Sequence, residues 1–461
     1  MQTSKWGGAC RAAAIALVLT VVASPALAAA PGTAPEPLYL LGIPLDFMLF
    51  ALTLLGVALF HHYTLQVALG GLAVITAYKL LFTGFKYGTG FAGLAGHMGH
   101  ELVILSNLFC LLVGFALLAR HFEKSNVPEA MPAILPDDWK GGFVLLVMIF
   151  VLSAFLDNIA AALIGATVAK HVFKSKVHIG YLAAIVAASN AGGSGSVVGD
   201  TTTTMMWIDG VSPLKVFDAY AAATVALVVF GIPAALQQHK YQPIAKDVTP
   251  GLKIDWVRIG IVFFILVSAI LANVIANLRF PALLDYMPVL GVAVAAAILV
   301  TARLRKPDWE ILPETIKGSV FLLALVTCAS MMPVEKLPPP SWQSAFGLGF
   351  LSAVFDNIPL TALALKQGGY DWGMLAFSVG FGGSMIWFGS SAGVAVASMF
   401  PEARSVGKWI AAGWHVALAY VIGFLVMLAL LGWKPDADHR KRSDLAPAVH
   451  ASAQPAATTP N

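Results

Sequence analysis

From Leu38 to Leu431 the chain is a succession of apolar runs, most long enough to cross a bilayer, with only short polar breaks between them. A span needs about 20 predominantly apolar residues. Runs near 40–60, 65–82 and 101–119 read as three spanning helices, followed after further runs by spans near 214–236, 259–277, 286–302, 316–331 and 408–431. Only 11% of the residues are charged and 58% are hydrophobic, whereas a soluble domain carries about 25% charged residues to cover its surface. The lipid bilayer is therefore the solvent of an all-α, polytopic membrane protein with no independent soluble domain.

Four of the runs are interrupted in a way that a plain span does not tolerate. Asp157-Asn158 divides a run over 141–170, and Asp356-Asn357 divides one over 341–366. Clusters of Gly divide the other two: Gly192-Gly193-Ser194 to Gly199-Asp200 within 179–208, and Gly382-Gly383-Ser384 to Gly389-Ser390 within 372–400. The first pair reads as re-entrant hairpins. The second reads as helices broken at the midplane, because so many glycines cannot sit in one continuous helix.

The interruptions repeat residue for residue. Leu152-Ser153-Ala154-Phe155-Leu156-Asp157-Asn158-Ile159 matches Leu351-Ser352-Ala353-Val354-Phe355-Asp356-Asn357-Ile358, and the two Gly-rich breaks have the same internal spacing. The chain thus holds two copies of one unit, 38–236 and 259–432, joined by a cytoplasmic linker over 237–258. Each copy has about five spans plus a hairpin, an odd number of crossings, which turns the second copy upside down relative to the first. That is the inverted-repeat plan of secondary transporters. Lys5, Arg11, the apolar stretch Ala12 to Ala23 and Ala26-Leu27-Ala28 form the pattern of a signal peptide over 1–28. With the N-terminus then periplasmic, Arg120, Lys124, Lys140, Lys240, Arg303 and Arg404 fall on the cytoplasmic side, as the positive-inside rule requires of a bacterial inner-membrane protein. The Ala/Pro/Ser/Thr-rich end, 433–461, is expected to be disordered. Its His439-Arg440-Lys441-Arg442 would be periplasmic and so runs against that rule.

Several classes of function are excluded. Net charge is only +4 and the basic residues are scattered, so nucleic acid is not a partner. Cys10, Cys110 and Cys328 have no metal-ligand or redox spacing. No GxSxG, HExxH or Walker-type GxxxxGK[ST] motif is present. An enzyme is not expected, and no cofactor.

Asp157, Asp200 and Asp356 lie inside apolar runs, where a carboxylate is costly unless it faces a wet cavity or a partner cation. Each is a candidate ligand for Na⁺; the bland alternative is that it caps a half-helix. Unwinding at the Gly clusters frees backbone carbonyls, which join carboxylate and hydroxyl oxygens as hard ligands. Thr201 to Thr204 follow Asp200, while Ser390 and Ser391 hold the equivalent place in the second copy, so one broken helix is acidic and the other neutral. An anion site should offer Arg or Lys and no carboxylate, so a cation is the expected cargo. Na⁺ and H⁺ competing for the same oxygens is sufficient for antiport. Weaker candidates are His97, His100 and Glu101, expected at the mouth of the third span, and His415 in the last one. Asp46 is expected near the periplasmic surface, and Trp207, Trp387 and Trp433 as packing or interfacial aromatics.

These motifs resemble those of the NhaD-type sodium/proton antiporters of the ion-transporter superfamily, which also includes arsenite permeases and citrate or dicarboxylate carriers. Ser153 to Ile159 is similar to the first hairpin motif, and Asn190-Ala191-Gly192-Gly193-Ser194 through Gly199-Asp200-Thr201-Thr202 to the first broken helix. Asp356-Asn357-Ile358-Pro359 and Gly382-Gly383-Ser384 through Gly389-Ser390-Ser391 resemble the second pair. The resemblance implies that Asp157, Asn158, Asn190, Gly193, Ser194, Asp200, Thr201, Thr202, Asp356, Asn357, Gly383, Ser384, Ser390 and Ser391 bind the transported ion. It also implies a homodimer in which the early spans are a scaffold. The alternative within the superfamily is an organic-anion carrier for citrate or dicarboxylates. Such carriers typically read Ser-Asn-Thr at the hairpin tips, where this chain has Asp-Asn-Ile.

Overall fold

A computed structural model describes residues 37–60, 63–245, 253–280, 283–284 and 286–436. The expected signal peptide, residues 246–252 of the linker expected over 237–258 and the part of the expected tail beyond Asp436 lie outside the described residues, while helices run into the linker at both ends, to Tyr241 and from Trp256. Apart from a two-residue ladder between β1 (Tyr39–Leu40) and β2 (Ile43–Pro44), the regular structure is helical. Six helical stretches are long and apolar enough to cross a membrane: Thr64–Thr83, Gly90–Glu123, Pro213–Tyr241, Trp256–Ala276, Trp309–Ser330 and Trp414–Leu431. The chain is a multi-pass membrane protein.

In chain order the first copy comprises α1 (Leu45–Leu59), α2 (Thr64–Tyr78), α3 (Gly90–Glu123), the short α4 (Val127–Ala130), α5 (Trp139–Ser153), α6 (Asn158–Val172), α7 (Ile179–Ser194), α8 (Thr201–Ile208), the short α9 (Pro213–Phe217) and α10 (Ala219–Tyr241). The second comprises α11 (Trp256–Arg279), α12 (Val289–Thr301), α13 (Leu312–Ser330), α14 (Trp342–Ser352), α15 (Asn357–Gln367), α16 (Trp372–Gly382), α17 (Ser391–Met399), α18 (Val406–Ala412) and α19 (Trp414–Leu431). The four interruptions expected from sequence fall between α5 and α6, α7 and α8, α14 and α15, and α16 and α17.

Four spans differ from expectation. Those expected near 40–60 and 286–302 are the helices α1 and α12, of only 15 and 13 residues, which are not among the six stretches long enough to cross. The third begins at Gly90, well before 101, because Gly90 at φ +62° turns the chain after the loop and nothing polar enough to stop a helix precedes Arg120. His97, His100 and Glu101 therefore lie within the helix and not at its mouth; His97 and Glu101 are buried. The last span divides at Gly413 into α18 and α19, glycine being a poor helix former, and the contacts with the Trp409 carbonyl oxygen and Ala183 leave no room for a side chain there.

α5 and α6 are 15 residues each, short for a span, and they pack on each other. Gly165 packs on Ile149, the two being placed symmetrically about Asp157. The packing between the copies is reciprocal. α8 of the first copy lies against α15 of the second, and α17 of the second lies against α6 of the first. α7 packs on α16 and α10 on α19, each against its own counterpart. Around this centre, α3 packs with α11, α12 and α13, and α2 packs with α1 and α13.

Candidate functional site

The four half-helices after the breaks begin in the same way. Asp157 Oδ2 accepts from Ile159 N at 3.2 Å, Asp356 Oδ1 from Ile358 N at 3.0 Å, Asp200 Oδ1 from Thr202 N at 3.0 Å and Ser390 Oγ from Gly393 N at 3.2 Å. Backbone angles repeat too: φ/ψ is −51°/141° at Asp157 and −52°/141° at Asp356, then −142°/143° at Asp200 and −141°/153° at Ser390. The capping expected as the bland alternative is thus real, and it occupies one oxygen of each carboxylate. Four helix N-termini with their positive dipole ends meet in one region, which offsets part of the cost of burying acidic side chains there.

Glycine and serine hold the breaks against the hairpins. A Cβ on Gly192 would lie 2.0 Å from the Phe150 carbonyl oxygen, and one on Gly382 would lie 2.2 Å from that of Gly349. Only the absence of a side chain lets these backbones cross so closely. Beside the crossings, Ser153 Oγ donates to Ser189 O and Ser352 Oγ to Val379 O, both at 2.6 Å. Gly193 and Gly383 likewise sit against the carbonyl oxygens of Gly199 and Gly389, which closes each break into a tight turn. Ser194 Oγ bonds within its own helix, to Ala191 O at 2.8 Å. Gly193, Ser194 and Gly383 therefore shape the breaks.

Asn190, fully buried, joins the copies. Its Oδ1 accepts from Asn158 Nδ2 at 3.1 Å, while its Nδ2 donates to Ser384 Oγ at 2.9 Å and Ser390 Oγ at 3.2 Å. Ser391 Oγ donates to Asp356 Oδ2 at 3.2 Å. Asp157, Asn158, Asp200, Thr201, Asn357 and Ser391 line one cavity of about 530 Å³. It extends between α3 and α13 toward Arg120, Glu123 and Glu314. A second cavity, of about 210 Å³, touches Asp356, Ser390 and Ser391 from the side of α1 and α13. Asp157 and Asp200 thus share the larger cavity, and Asp356 lines the smaller one. Among the described residues no three His, Cys, Asp or Glu side chains are grouped to hold a metal ion.

Thr203 and Thr204 hydroxyls bond the carbonyls of Ser196, Val197 and Asp200, so they satisfy the unwound backbone. Thr202 contributes its N–H to the cap of Asp200 and has a buried side chain. Asp46, in the first turn of α1, is fully buried in the protein and paired with Lys79 at 2.7 Å, at the π-helical end of α2. Glu101 is paired with Lys366 on α15, which ties the second hairpin to the long helix α3. His97 Nε2 meets Ser330 Oγ at 2.9 Å. His415, Trp207 and Trp387 are buried and Trp433 half-buried. Sequence singles out Glu101 but not its partner Lys366, nor Arg120, Glu123 and Glu314 of the larger cavity, since each looks like an ordinary charge near the end of its own span.

The fold and site define a class: a multi-pass helical membrane protein with acidic, broken helices around a buried cavity. Its sequence relatives are consistent with one kind of member. No family model matches the chain. It is 27% identical over 333 residues to sodium/proton antiporter 1 of Arabidopsis thaliana, covering 61% of this chain and 54% of that protein. It is 26% identical over 301 residues to sodium/proton antiporter 2 of the same plant, covering 57% and 69%. It is 26% identical over 358 residues to the Na⁺/H⁺ antiporter NhaD of Alkalimonas amylolytica, covering 64% and 68%. The match thus spans about half the length of the first relative. These similarities bear out the resemblance to NhaD-type antiporters read from the motifs.

Proposed function

We propose that the chain is a secondary active transporter that exchanges Na⁺ for H⁺ across the bacterial inner membrane. The observation that carries this reading is Asp200, a carboxylate 2% exposed at the junction of a broken helix, lining a cavity large enough for ions and water. One of its oxygens caps α8 and the other has no hydrogen-bond partner among the described residues. A buried carboxylate with a free oxygen takes up a cation or a proton, and the two exclude each other. Mutual exclusion at one site couples the two gradients, because binding of either ion lowers affinity for the other by the same factor. The names of the sequence relatives point the same way.

The copied motifs, the matching caps and the reciprocal packing support an inverted repeat with re-entrant hairpins, working by alternating access. Asp157 and Asp356 would hold the neighbouring charge around the cavity. A homodimer, scaffolded through the early spans, belongs to the same reading.

The test is a proteoliposome assay with a pH-sensitive dye inside and an imposed proton gradient, to which Na⁺, Li⁺, K⁺ or citrate is added. Na⁺ or Li⁺ should collapse the gradient, and Asp200→Asn should abolish the response. A response to citrate alone would overturn the cation reading in favour of an organic-anion carrier.

A further inference from the structure

The two hairpins are built alike but are not equally covered. From Asn357 to Leu365 every residue of α15 except Leu363 is buried, and the helix packs on α13 and is tied to α3 through the Lys366–Glu101 pair. α6 instead keeps one bare stripe: Ile159, Ala160 and Leu163 are half-buried and Thr167 and Lys170 exposed, while the other residues between Ala160 and Lys170 are buried. Steps of three and four residues put this stripe on one face of the helix. Ile159, Ala160 and Leu163 line the 530 Å³ cavity, across which α6 faces α3 and α13. One hairpin is thus shut against the third spans while the other stands off from them, the asymmetry that alternating access leaves in a single conformation of an inverted repeat.

The charges follow the same asymmetry. Glu101 of α3 and Glu314 of α13 correspond: each stands about two turns before Leu108 or Leu322, the innermost residue with which its helix lines the cavity. Lys366 and Lys170 lie on the returning arms of the two hairpins, Lys170 about one turn further along its arm. Glu101 and Lys366 are paired. Glu314 and Lys170, both exposed, have no ion pair among the described residues. Glu314 nevertheless lines the cavity at its mouth, where the other two charges, Arg120 and Glu123, are paired with each other.

We propose that Lys170 and Glu314 form the ion pair that closes the cytoplasmic side in the other half of the transport cycle, as Glu101 and Lys366 close the periplasmic side in this one. The inference rests on the transport reading above and adds to it the residues that hold each end-state. When α6 moves onto α13, its bare stripe is covered, the cavity mouth is lost and Lys170 reaches Glu314. At the same time α15 leaves α3 and the Glu101–Lys366 pair breaks. One pair is exchanged for the other, so the two end-states stay close in free energy and both are populated.

The experiment measures the rate at which Na⁺ collapses an imposed proton gradient in proteoliposomes, over a range of Na⁺ concentrations, with the melting temperature of each purified variant as the check on folding. Glu314→Lys and Lys170→Glu should each lower the maximal rate about fivefold, the upper range for an exposed ion pair. Neither should change the melting temperature, because neither side chain has an ion-pair partner to lose in this conformation. The double variant restores the pair in reverse and should return to within about twofold of the wild type. Glu314→Gln and Lys170→Gln, which add no like charge, should slow transport less, and no more together than singly. A mouth that only gathers cations gives the opposite result for Lys170→Glu, a lower half-saturating Na⁺ with no loss of maximal rate. That result overturns the inference, as does a double variant no faster than the slower single. Either failure in an active wild type leaves the transport reading standing, whereas a wild type in which no cation moves the gradient overturns that reading and this inference with it.

Discussion

Asn190→Ala tests whether the tie between the copies is what the geometry says it is. The substitution orphans Asn158 Nδ2 and Ser384 Oγ, whereas Ser390 Oγ keeps its bond from Gly393 N. A buried orphan costs about 1–3 kcal/mol, but hydrogen bonds between membrane helices average only about 0.6 kcal/mol, because the unfolded chain in lipid also finds partners. Two orphans between these limits give a loss of about 2 kcal/mol. Reversible unfolding of purified protein in mixed detergent micelles would measure it, in a cycle with Asn158→Ala. The coupling between the two should be about 1 kcal/mol, so the double variant loses less than the sum of the singles. Ser194→Ala, whose hydroxyl bonds only within α7, serves as the control and should cost under about 0.5 kcal/mol. Additivity of the Asn pair within about 0.3–0.5 kcal/mol would refute the reasoning, since contacting residues that do not couple are not bonded.

Three further outcomes follow from other contacts. Gly192→Ala and Gly382→Ala push a Cβ onto backbone oxygens that cannot swing away, and each should cost toward the upper end of about 1–3 kcal/mol in the same unfolding assay; unchanged stability would mean the crossings are looser than described. Lys366→Met strands the buried Glu101 carboxylate and should cost about 3 kcal/mol, most of it regained when Glu101→Gln is added. No recovery in the double variant would show that the pair is not what holds α15 to α3. Outside the spans, Asp308 is held below the usual carboxylate range, chiefly by its hydrogen bond from Lys124 and then by Arg120. A lowered folded pKa gives stability that is present above the unfolded value and lost as pH falls through the folded one. Asp308→Asn should therefore melt below the wild type at neutral pH, with the gap closing in acid; a gap that persists at the lowest pH the wild type survives would count against it.

The duplication and the four breaks were readable because their causes are local. Glycine clusters disrupt a helix wherever they occur, an Asp inside an apolar run is conspicuous, and Asp157, Asp200 and Asp356 take their capping bonds from residues next to them in the chain. For the same reason Ser153 and Ser352 hold equivalent places in the two motifs, whereas the carbonyls they reach carry no mark in the sequence. What sequence could not supply was anything that depends on which helix lies opposite. Asn190 meets Ser384 across the centre, Glu101 meets Lys366 and Asp46 meets Lys79, and none of these partners is marked by spacing. His97 and Glu101 read as a cluster at the mouth of a span because the start of α3 is weakly signalled; in the fold they are buried, His97 against Ser330 of α13 and Glu101 against Lys366 of α15. Sequence alone determined which helices break and which acids lie at the breaks, because backbone conformation is set by neighbours along the chain. Tertiary structure alone decided which of those acids keeps a free oxygen, because hydrogen bonds between helices are set by neighbours in space.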